Sequence, residues 1–234
     1  MIFQRFRVSE TTLLKIRGDR MKLSLQGISG RDEWTSKGVR LPEFDVEKMT
    51  ERTKDMPEWV HFGCGNIFRS FIAQIQQQLL DKGLTKSGII AVDTFDYDII
   101  TEVYHPFDNL TLDVTLNSDA TMDVCVTASV AESLAADISD KKTVDRLKEI
   151  FCAPSLRLVS YTITEKGYSI RQSDGSLSPL VLSDLEKGPH DCIHGMSITA
   201  ALLLERFEAG AFPIAVVSMD NCSHNGEKLR NSVS

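Results

Sequence analysis

Trp59-Val60-His61-Phe62-Gly63-Cys64-Gly65-Asn66-Ile67-Phe68-Arg69 runs from an apolar stretch through two glycines into the start of a helical pattern. Glycines at G-x-G after a buried strand let the backbone turn sharply and approach a ligand. The helix that follows offers unpaired N–H groups and the positive end of its dipole to a phosphate. That is the chemistry of a dinucleotide-binding turn. Phe68 stands where the third glycine of G-x-G-x-x-G would be, so a tight strand-to-helix turn without a ligand is the competing reading.

Four other groups of residues have types that do chemistry. Asp93 closes the apolar run Gly88-Ile89-Ile90-Ala91-Val92. An acidic residue at the end of a second strand holds the adenosine ribose hydroxyls in such folds; Asp96 and Asp98 are rivals, and a helix N-cap is the alternative. Thr164-Glu165-Lys166-Gly167-Tyr168 follows the apolar Leu156 to Ile163, at the carboxyl end of a strand, where open α/β sheets bind ligands; a solvated loop is the alternative. Ser218-Met219-Asp220-Asn221-Cys222-Ser223-His224-Asn225-Gly226 ends another apolar run, and an asparagine amide there can hold a substrate oxygen. His190 and His194 flank Cys192. The spacing suits two metal ligands on one helix face, but no further ligand is in evident reach, so these residues are read as opening a helix and no metal is expected.

The elements that must position these groups follow from period and punctuation. Strands are expected at Val60 to Phe62, Gly88 to Asp93, Leu156 to Ile163 and Phe212 to Ser218. A helix is expected from Ile67 to Leu80, with Phe68, Phe71, Ile72, Ile75 and Leu79 packed on a sheet, Gln76-Gln77-Gln78 in solvent, and Gly83 at its end. Lys141 to Phe151 reads as an amphipathic helix stopped by Pro154, and Ile198 to Phe207 as part of another closed by Gly210. Alternation in Leu112-Val114-Leu116 and Met122-Val124-Val126 around Asn117-Ser118-Asp119 predicts an antiparallel hairpin. Residues 23 to 57 read as an extended arm with one short helix at Val46 to Thr53 capped by Asp45. The fold class is therefore α/β: a doubly wound, mostly parallel Rossmann-type sheet with an inserted hairpin, residues 58–234 forming the dinucleotide-binding domain and 1–57 an N-terminal extension and arm.

Composition bounds the function. The chain has 234 residues, 42% hydrophobic and 25% charged, with a net charge of −7, which suits a globular protein and argues against a general nucleic-acid binder. No apolar run reaches membrane-spanning length. The five cysteines are scattered with no C-x-x-C, as expected of reduced thiols in the cytoplasm. The basic stretch Met1 to Arg20 lacks a continuous apolar core and reads as an upstream extension that is not native; a transit peptide is the rival.

His61-Phe62-Gly63-Cys64-Gly65-Asn66-Ile67-Phe68-Arg69 resembles the G-x-G-x-F-x-R turn of the mannitol dehydrogenase family of polyol-specific long-chain dehydrogenases. Thr162-Ile163-Thr164-Glu165-Lys166-Gly167-Tyr168 is similar to its T-x-T-E-K-G-Y segment, and Val217 to Gly226 to its S-C-D-N-x-x-x-N-G segment. The family includes mannitol 2-dehydrogenase and the fructuronate and tagaturonate reductases. The resemblance implies hydride transfer between NAD and a sugar alcohol or hexuronate, without a catalytic metal. It implies that Gly63, Gly65, Phe68 and Arg69 surround the cofactor pyrophosphate, and that Thr164, Glu165 and Lys166 lie along the cofactor. It also implies that Asn221 polarises the reacting carbonyl, while Asp93 favours NAD over NADP because a carboxylate repels a 2′-phosphate. Asn66 replaces a small residue and narrows the phosphate site; Met219 replaces the usual Cys. The family's lysine base lies on a helical C-terminal domain that these residues do not include. The resemblance therefore implies a cofactor-binding half, inactive alone, that needs that domain in cis or trans; a non-catalytic nucleotide-binding or interaction module is the alternative.

Overall fold

The computed structural model describes residues 21–233; the reading of Met1 to Arg20 lies outside them. The chain order is α1 (Leu25–Ser29), α2 (Arg31–Thr35), β1 (Val39–Arg40), α3 (Val46–Asp55), β2 (Trp59–Phe62), a π-helical segment (Phe68–Ile72) running into α4 (Ala73–Asp81), and β3 (Ile89–Asp93). A second π-helical segment (Ile99–Tyr104), β4 (Thr111–Leu116), β5 (Met122–Thr127), β6 (Val130–Ala135), α5 (Lys141–Cys152) and β7 (Leu158–Tyr161) follow. A 3-10 turn (Glu165–Tyr168), α6 (Pro179–Lys187), α7 (Gly195–Gly210), β8 (Ala215–Ser218) and α8 (Asn225–Val233) complete it.

Five strands form a wholly parallel sheet in the order β6-β3-β2-β7-β8. The chain winds outward from β2 through β3 to β6, then crosses back to lay β7 and β8 on the other side. The strand order thus reverses between β2 and β7, and in open α/β sheets the crevice outside the carboxyl ends at such a point takes the ligand. Both faces are covered over β6, β3 and β2, while Ala215 and Val217 of the edge strand β8 are exposed. Val60, Phe62, Ile90, Val92, Val159 and Tyr161 pack against α5, α7 and Leu229 of α8. Ile89 and Ala91, the alternate residues of β3, pack against Phe68, Ile72 and Ala73 and against Ile100 and Tyr104 of the second π segment. Strands buried on both faces read as unbroken apolar runs, which is why β3 is visible in the sequence. The fold is the doubly wound Rossmann type expected.

The hairpin β4-β5 forms as expected, with Leu112 opposite Val126 and Leu116 opposite Met122. It belongs to a separate three-stranded sheet, in which β1 adds to β5 in parallel. Residues 23 to 57 therefore differ from an extended arm. Ile28, Trp34 and Leu41 share a core with Leu110, Val126 and Ala128, and Trp34 Nε1 donates to Gly27 O at 2.9 Å. The apolar residues that pay for this packing are spaced too widely for a period to show. Asp45 caps α3 as expected, accepting from Lys48 N at 3.0 Å. Strand β6 and helix α6 lie in stretches where the sequence predicted no element.

The helix after the glycine turn shows the main departure. Phe71, Ile75 and Leu79 are exposed, while Ala73, Gln76, Gln77 and Leu80 are buried. The observed buried set, Phe68, Ile72, Ala73, Gln76, Gln77 and Leu80, keeps Phe68 and Ile72 of the expected set and replaces Phe71, Ile75 and Leu79 by residues one or two positions farther on. Its cause is the π turn, closed by Ala73 N donating to Phe68 O. A π turn holds one residue more than an α turn, so every later side chain changes face. Of the three glutamines only Gln78 is in solvent. Gln77 accepts from Ala128 N at 2.6 Å and donates to Val126 O at 2.7 Å, and Gln76 donates to Ser87 O.

Ile67, Phe71 and Ile75 therefore form an exposed apolar column, and Leu112, Val114, Leu116 and Met122 an exposed apolar hairpin face. Uncovered apolar area of this kind drives association. The full chain is expected to elute in size-exclusion chromatography above its 26.1 kDa monomer mass, with elution that depends on concentration, and Phe71→Lys with Ile75→Lys to shift it toward monomer. A single monomer peak at all concentrations would count against this.

Candidate functional site

Gly63 is pinned between its neighbours on both sides. Its N–H donates to Val92 O of β3 at 2.9 Å, and a Cβ built on it would lie 2.1 Å from Thr162 O after β7. Its φ is +100°, which L side chains rarely adopt. Gly65 differs: nothing lies within 4 Å of the Cβ it lacks. Gly63 is therefore demanded by the protein's own backbone, whereas Gly65 borders open space in the crevice.

Asp93 ties the turn to β3. Its Oδ2 accepts from Cys64 N at 3.1 Å, and its Oδ1 from Phe95 N at 2.9 Å and Asp96 N at 2.8 Å. A carboxylate offers about four lone-pair sites, so one acceptor position remains on Oδ2. Both sequence readings of Asp93 are compatible with this: it turns the chain after β3, and it retains room for one further donor. Asp96 and Asp98 are exposed.

Arg69, half-buried, donates through Nη2 to Asn66 Oδ1. Its Nη1 is buried without a hydrogen-bond partner, and an unpaired buried guanidinium N–H is costly. An orphaned cationic donor one turn of chain after Gly65, lining a pocket with Asn66 and Ser70, has the charge that a dianionic pyrophosphate needs. The residues present thus fit a dinucleotide's phosphates. Phe68 is fully buried against His61, their rings stacked at 4.3 Å, so it supports the turn from beneath.

Below the turn runs a buried polar chain. Trp59 Nε1, which can only donate, reaches Ser160 Oγ at 2.7 Å. Ser160 Oγ lies 2.7 Å from His61 Nδ1, and His61 Nε2 lies 2.8 Å from Thr162 Oγ1. Thr162 Oγ1 in turn donates to Gly63 O at 3.2 Å. With its proton so used, Thr162 must accept from His61, which places the imidazole hydrogen on Nε2 and leaves Nδ1 to accept from Ser160. Burial lowers the His61 pKa to about 3, so the ring is neutral. The chain ties β2 and β7 to the carbonyl of Gly63, and no sequence signal beyond the apolar run marks it.

The second side of the crevice is built at the ends of β7 and β8. Thr164, Glu165 and Lys166 are exposed on the 3-10 turn, and Glu165 pairs with Lys228 of α8. Asp220 Oδ2 accepts from Ile163 N at 3.1 Å and from the Tyr168 hydroxyl, and Tyr168 OH also meets Ser218 Oγ at 2.8 Å. Burial raises the Asp220 carboxyl above its usual range, and burial followed by the Asp220 contact raises the Tyr168 phenol. Asn225 Nδ2 donates to Asp220 O at 2.9 Å. Asp220 and Tyr168 are thus the residues that hold the loop, and Asn221 between them is exposed. Met219 packs in the core that includes Cys64 and Phe68. The structure brings Gly63, Gly65, Asn66, Phe68, Arg69 and Asp93 together on one side, and sets the 164–166 turn and Asn221 in the segments that follow β7 and β8.

His190 and His194 serve different ends. His190 lies 3.1 Å from Lys148 Nζ, while His194 caps α7 by accepting from Met196 N at 3.2 Å. Asp184, 2% exposed, holds the approach to α7 by accepting from Ile193 N and His194 N.

A family model described as the mannitol dehydrogenase Rossmann domain matches residues 57–234. A D-mannonate oxidoreductase of Thermotoga maritima is 47% identical over 213 residues, 91% of this chain and 39% of that protein. A polyol:NADP oxidoreductase of Gluconobacter oxydans is 27% identical, over 83% of this chain and 39% of that protein. The solved structure of Pseudomonas fluorescens mannitol 2-dehydrogenase in ternary complex with NAD and D-mannitol matches with a TM-score of 0.74 at 26% identity, covering 91% of this chain and 41% of that one. The chain spans about two fifths of the length of these relatives.

Two outcomes follow from this geometry. Gly63→Ala is expected to lose at least about 2 kcal/mol of stability in urea unfolding, through backbone clash and strain, whereas Gly65→Ala leaves the melting temperature unchanged and weakens binding of a dinucleotide; equal effects on stability would refute the distinction. His61 has its pKa lowered from 6.5 to about 3, so the unfolded chain takes up the proton first. Stability is then full above pH 6.5 and falls as pH drops toward 3, with a limiting slope of about 1.4 kcal/mol per pH unit. Burial also lowers the His194 pKa, which adds to the same slope. Unfolding at pH 7.5 and 5.5 checks this: His61→Gln should flatten the dependence, and an unchanged slope would count against a neutral His61.

Proposed function

The chain belongs to the mannitol dehydrogenase family, and from that membership we propose that it is the cofactor-binding part of an NAD-dependent oxidoreductase acting on a sugar alcohol or on an aldonate–hexuronate pair. The observation that carries the proposal is the open cradle at Gly65 beside the unpartnered Arg69 Nη1, at the sheet's switch point. The identity to a relative named D-mannonate oxidoreductase favours the aldonate–hexuronate pair, and a neighbour solved with NAD and D-mannitol supports the cofactor.

The roles follow from chemistry. The N–H groups after Gly65 and the free N–H of Arg69 hold the pyrophosphate, and Asn66 orients Arg69. Asp93 accepts from a ribose hydroxyl through its remaining lone pair and disfavours a 2′-phosphate by charge. When bound, the nicotinamide ring accepts or donates the hydride. The 164–166 turn lies along the cofactor on the β7 side. Asn221 donates its amide N–H to the oxygen of the reacting carbon, lowering the cost of charge there. The proton of that hydroxyl passes to the lysine of the helical domain that the resemblance implies. All five cysteines are free thiols, which supports a cytoplasmic setting.

Calorimetric titration of the full chain with NADH and NADPH tests the proposal. Saturable NADH binding with weaker NADPH binding is expected, and Asp93→Asn, which removes the charge and keeps one oxygen acceptor, should narrow the difference severalfold. Binding of neither would leave a non-catalytic module and remove the enzyme reading from this chain.

A further inference from the structure

A cavity of about 270 Å³ is lined by α3, by Leu80 of α4 and by Thr85 and Lys86 ahead of β3. Arg52 of α3 meets Glu58, which directly precedes β2. The cavity therefore lies toward the amino ends of β2 and β3, whereas the crevice lies outside their carboxyl ends. Helix α3 also precedes residues 57–234, which the family model matches. The floor is apolar: Met49 and Leu80 are buried in one small core, with Phe44 packed against it. The rim is cationic, with Lys48, Arg52 and Lys86 drawn from two separate segments. The carboxylate in the lining, Asp45, accepts from Lys48 N at 3.0 Å and lies 3.9 Å from Lys48 Nζ.

The charges of this rim are only partly answered. Glu58 Oε1 meets Arg52 Nη2 at 3.4 Å and also accepts from Ser87 Oγ at 2.9 Å. Arg52 Nε is buried without a hydrogen-bond partner, and an unpaired buried guanidinium N–H is costly. Among the described residues the Lys86 side chain makes no hydrogen bond or ion pair. Three cations against the carboxylates of Asp45 and Glu58 leave one local positive charge, on a chain whose net charge is −7. A guanidinium suits a planar carboxylate, and mostly apolar walls with a few placed polar groups are the form of a small-molecule site. We propose that this cavity binds a small monocarboxylate with a compact apolar body. Arg52, Lys48 and Lys86 hold its charge, and Met49, Leu80 and Phe44 take its body. The site is separate from the cofactor crevice and does not rest on the NAD reading.

Benzoate, one carboxylate on a compact apolar ring, is the probe. It is titrated calorimetrically into the full chain, beside benzamide, its uncharged counterpart, and inorganic phosphate, a charge without an apolar body. The variants are Arg52→Gln and a double variant, Lys48→Gln with Lys86→Gln. The two lysines are exposed, so the double variant keeps the wild-type melting temperature and decides the matter if loss of the Glu58 contact unfolds Arg52→Gln. The proposal expects one-to-one benzoate binding with a Kd of about 1 mM or below. It expects at least about fivefold weaker binding of benzamide and of phosphate, a loss of at least about fivefold in Arg52→Gln and a loss of about threefold in the double variant. No benzoate binding to wild type would overturn the site, and so would benzoate binding that survives unchanged in either folded variant. Equal affinity for benzamide would make the cavity merely apolar, and equal affinity for phosphate would make it a bare anion site; either result overturns the proposal.

Discussion

There is no room for a side chain at Gly63, and the arrangement of the crevice depends on that. The residue donates to Val92 on one side and presses its α-carbon against Thr162 O on the other. β2, β3 and β7 are therefore drawn together within a single turn of backbone. Because the turn is that tight, Cys64 N reaches Asp93 and Gly65 is left facing open space. A larger residue would move the helix start away from the strand ends.

Two carboxylates stiffen the two sides of the crevice in the same way. Asp93 gathers three backbone N–H groups, and Asp220 gathers Ile163 N and the Tyr168 hydroxyl. Asp93 gives three of its about four acceptor positions to loop backbone, and Asp220 joins one loop N–H to one phenol, so each acts first as a clamp. Between them the chain from Trp59 to Gly63 O carries hydrogen bonds through a neutral histidine. Buried polar networks stabilise when every member is satisfied, and here Trp59, Ser160, His61 and Thr162 all are. Arg206 does similar work farther off. It is 2% exposed and donates to the carbonyls of Phe151, Ala153, Leu156, Phe212 and Pro213, binding the end of α5 to the starts of β7 and β8. Exposed residues that present chemistry, Asn221 and Lys166 among them, stand on loops fixed by these buried groups.

Much of the site was legible because its signals are local. The strand-turn-helix around Gly63, the acidic end of β3, the hairpin and the Asp45 cap each depend on a few consecutive residues whose backbone preferences or periods show in the chain. The helix after the turn was misread for a physical reason: a single π turn shifts the face of every later residue by one position, and its presence is set by packing rather than by composition. Gln76 and Gln77 look like surface residues until one sees that Ser87, Val126 and Ala128 offer them backbone partners across 11 to 51 positions of sequence. Ile28, Trp34 and Leu41 look like parts of an arm until β5 supplies the surface they pack on.

The sequence by itself determined the α/β class, the strand-turn-helix around Gly63, the order of three motifs that marks the family, and a net charge of −7 that argues against a general nucleic-acid binder. Those properties come from short-range steric limits and from net charge, which need no partner. Only the tertiary structure decided that Gly63 is required by backbone and Gly65 by open space, that Asp93 keeps one free acceptor position, that the proton of His61 sits on Nε2, and that Arg69 has an N–H to spare. Each of these is a count of donors, acceptors and free volume among groups brought together from separate strands, and such counts exist only once the strands are side by side.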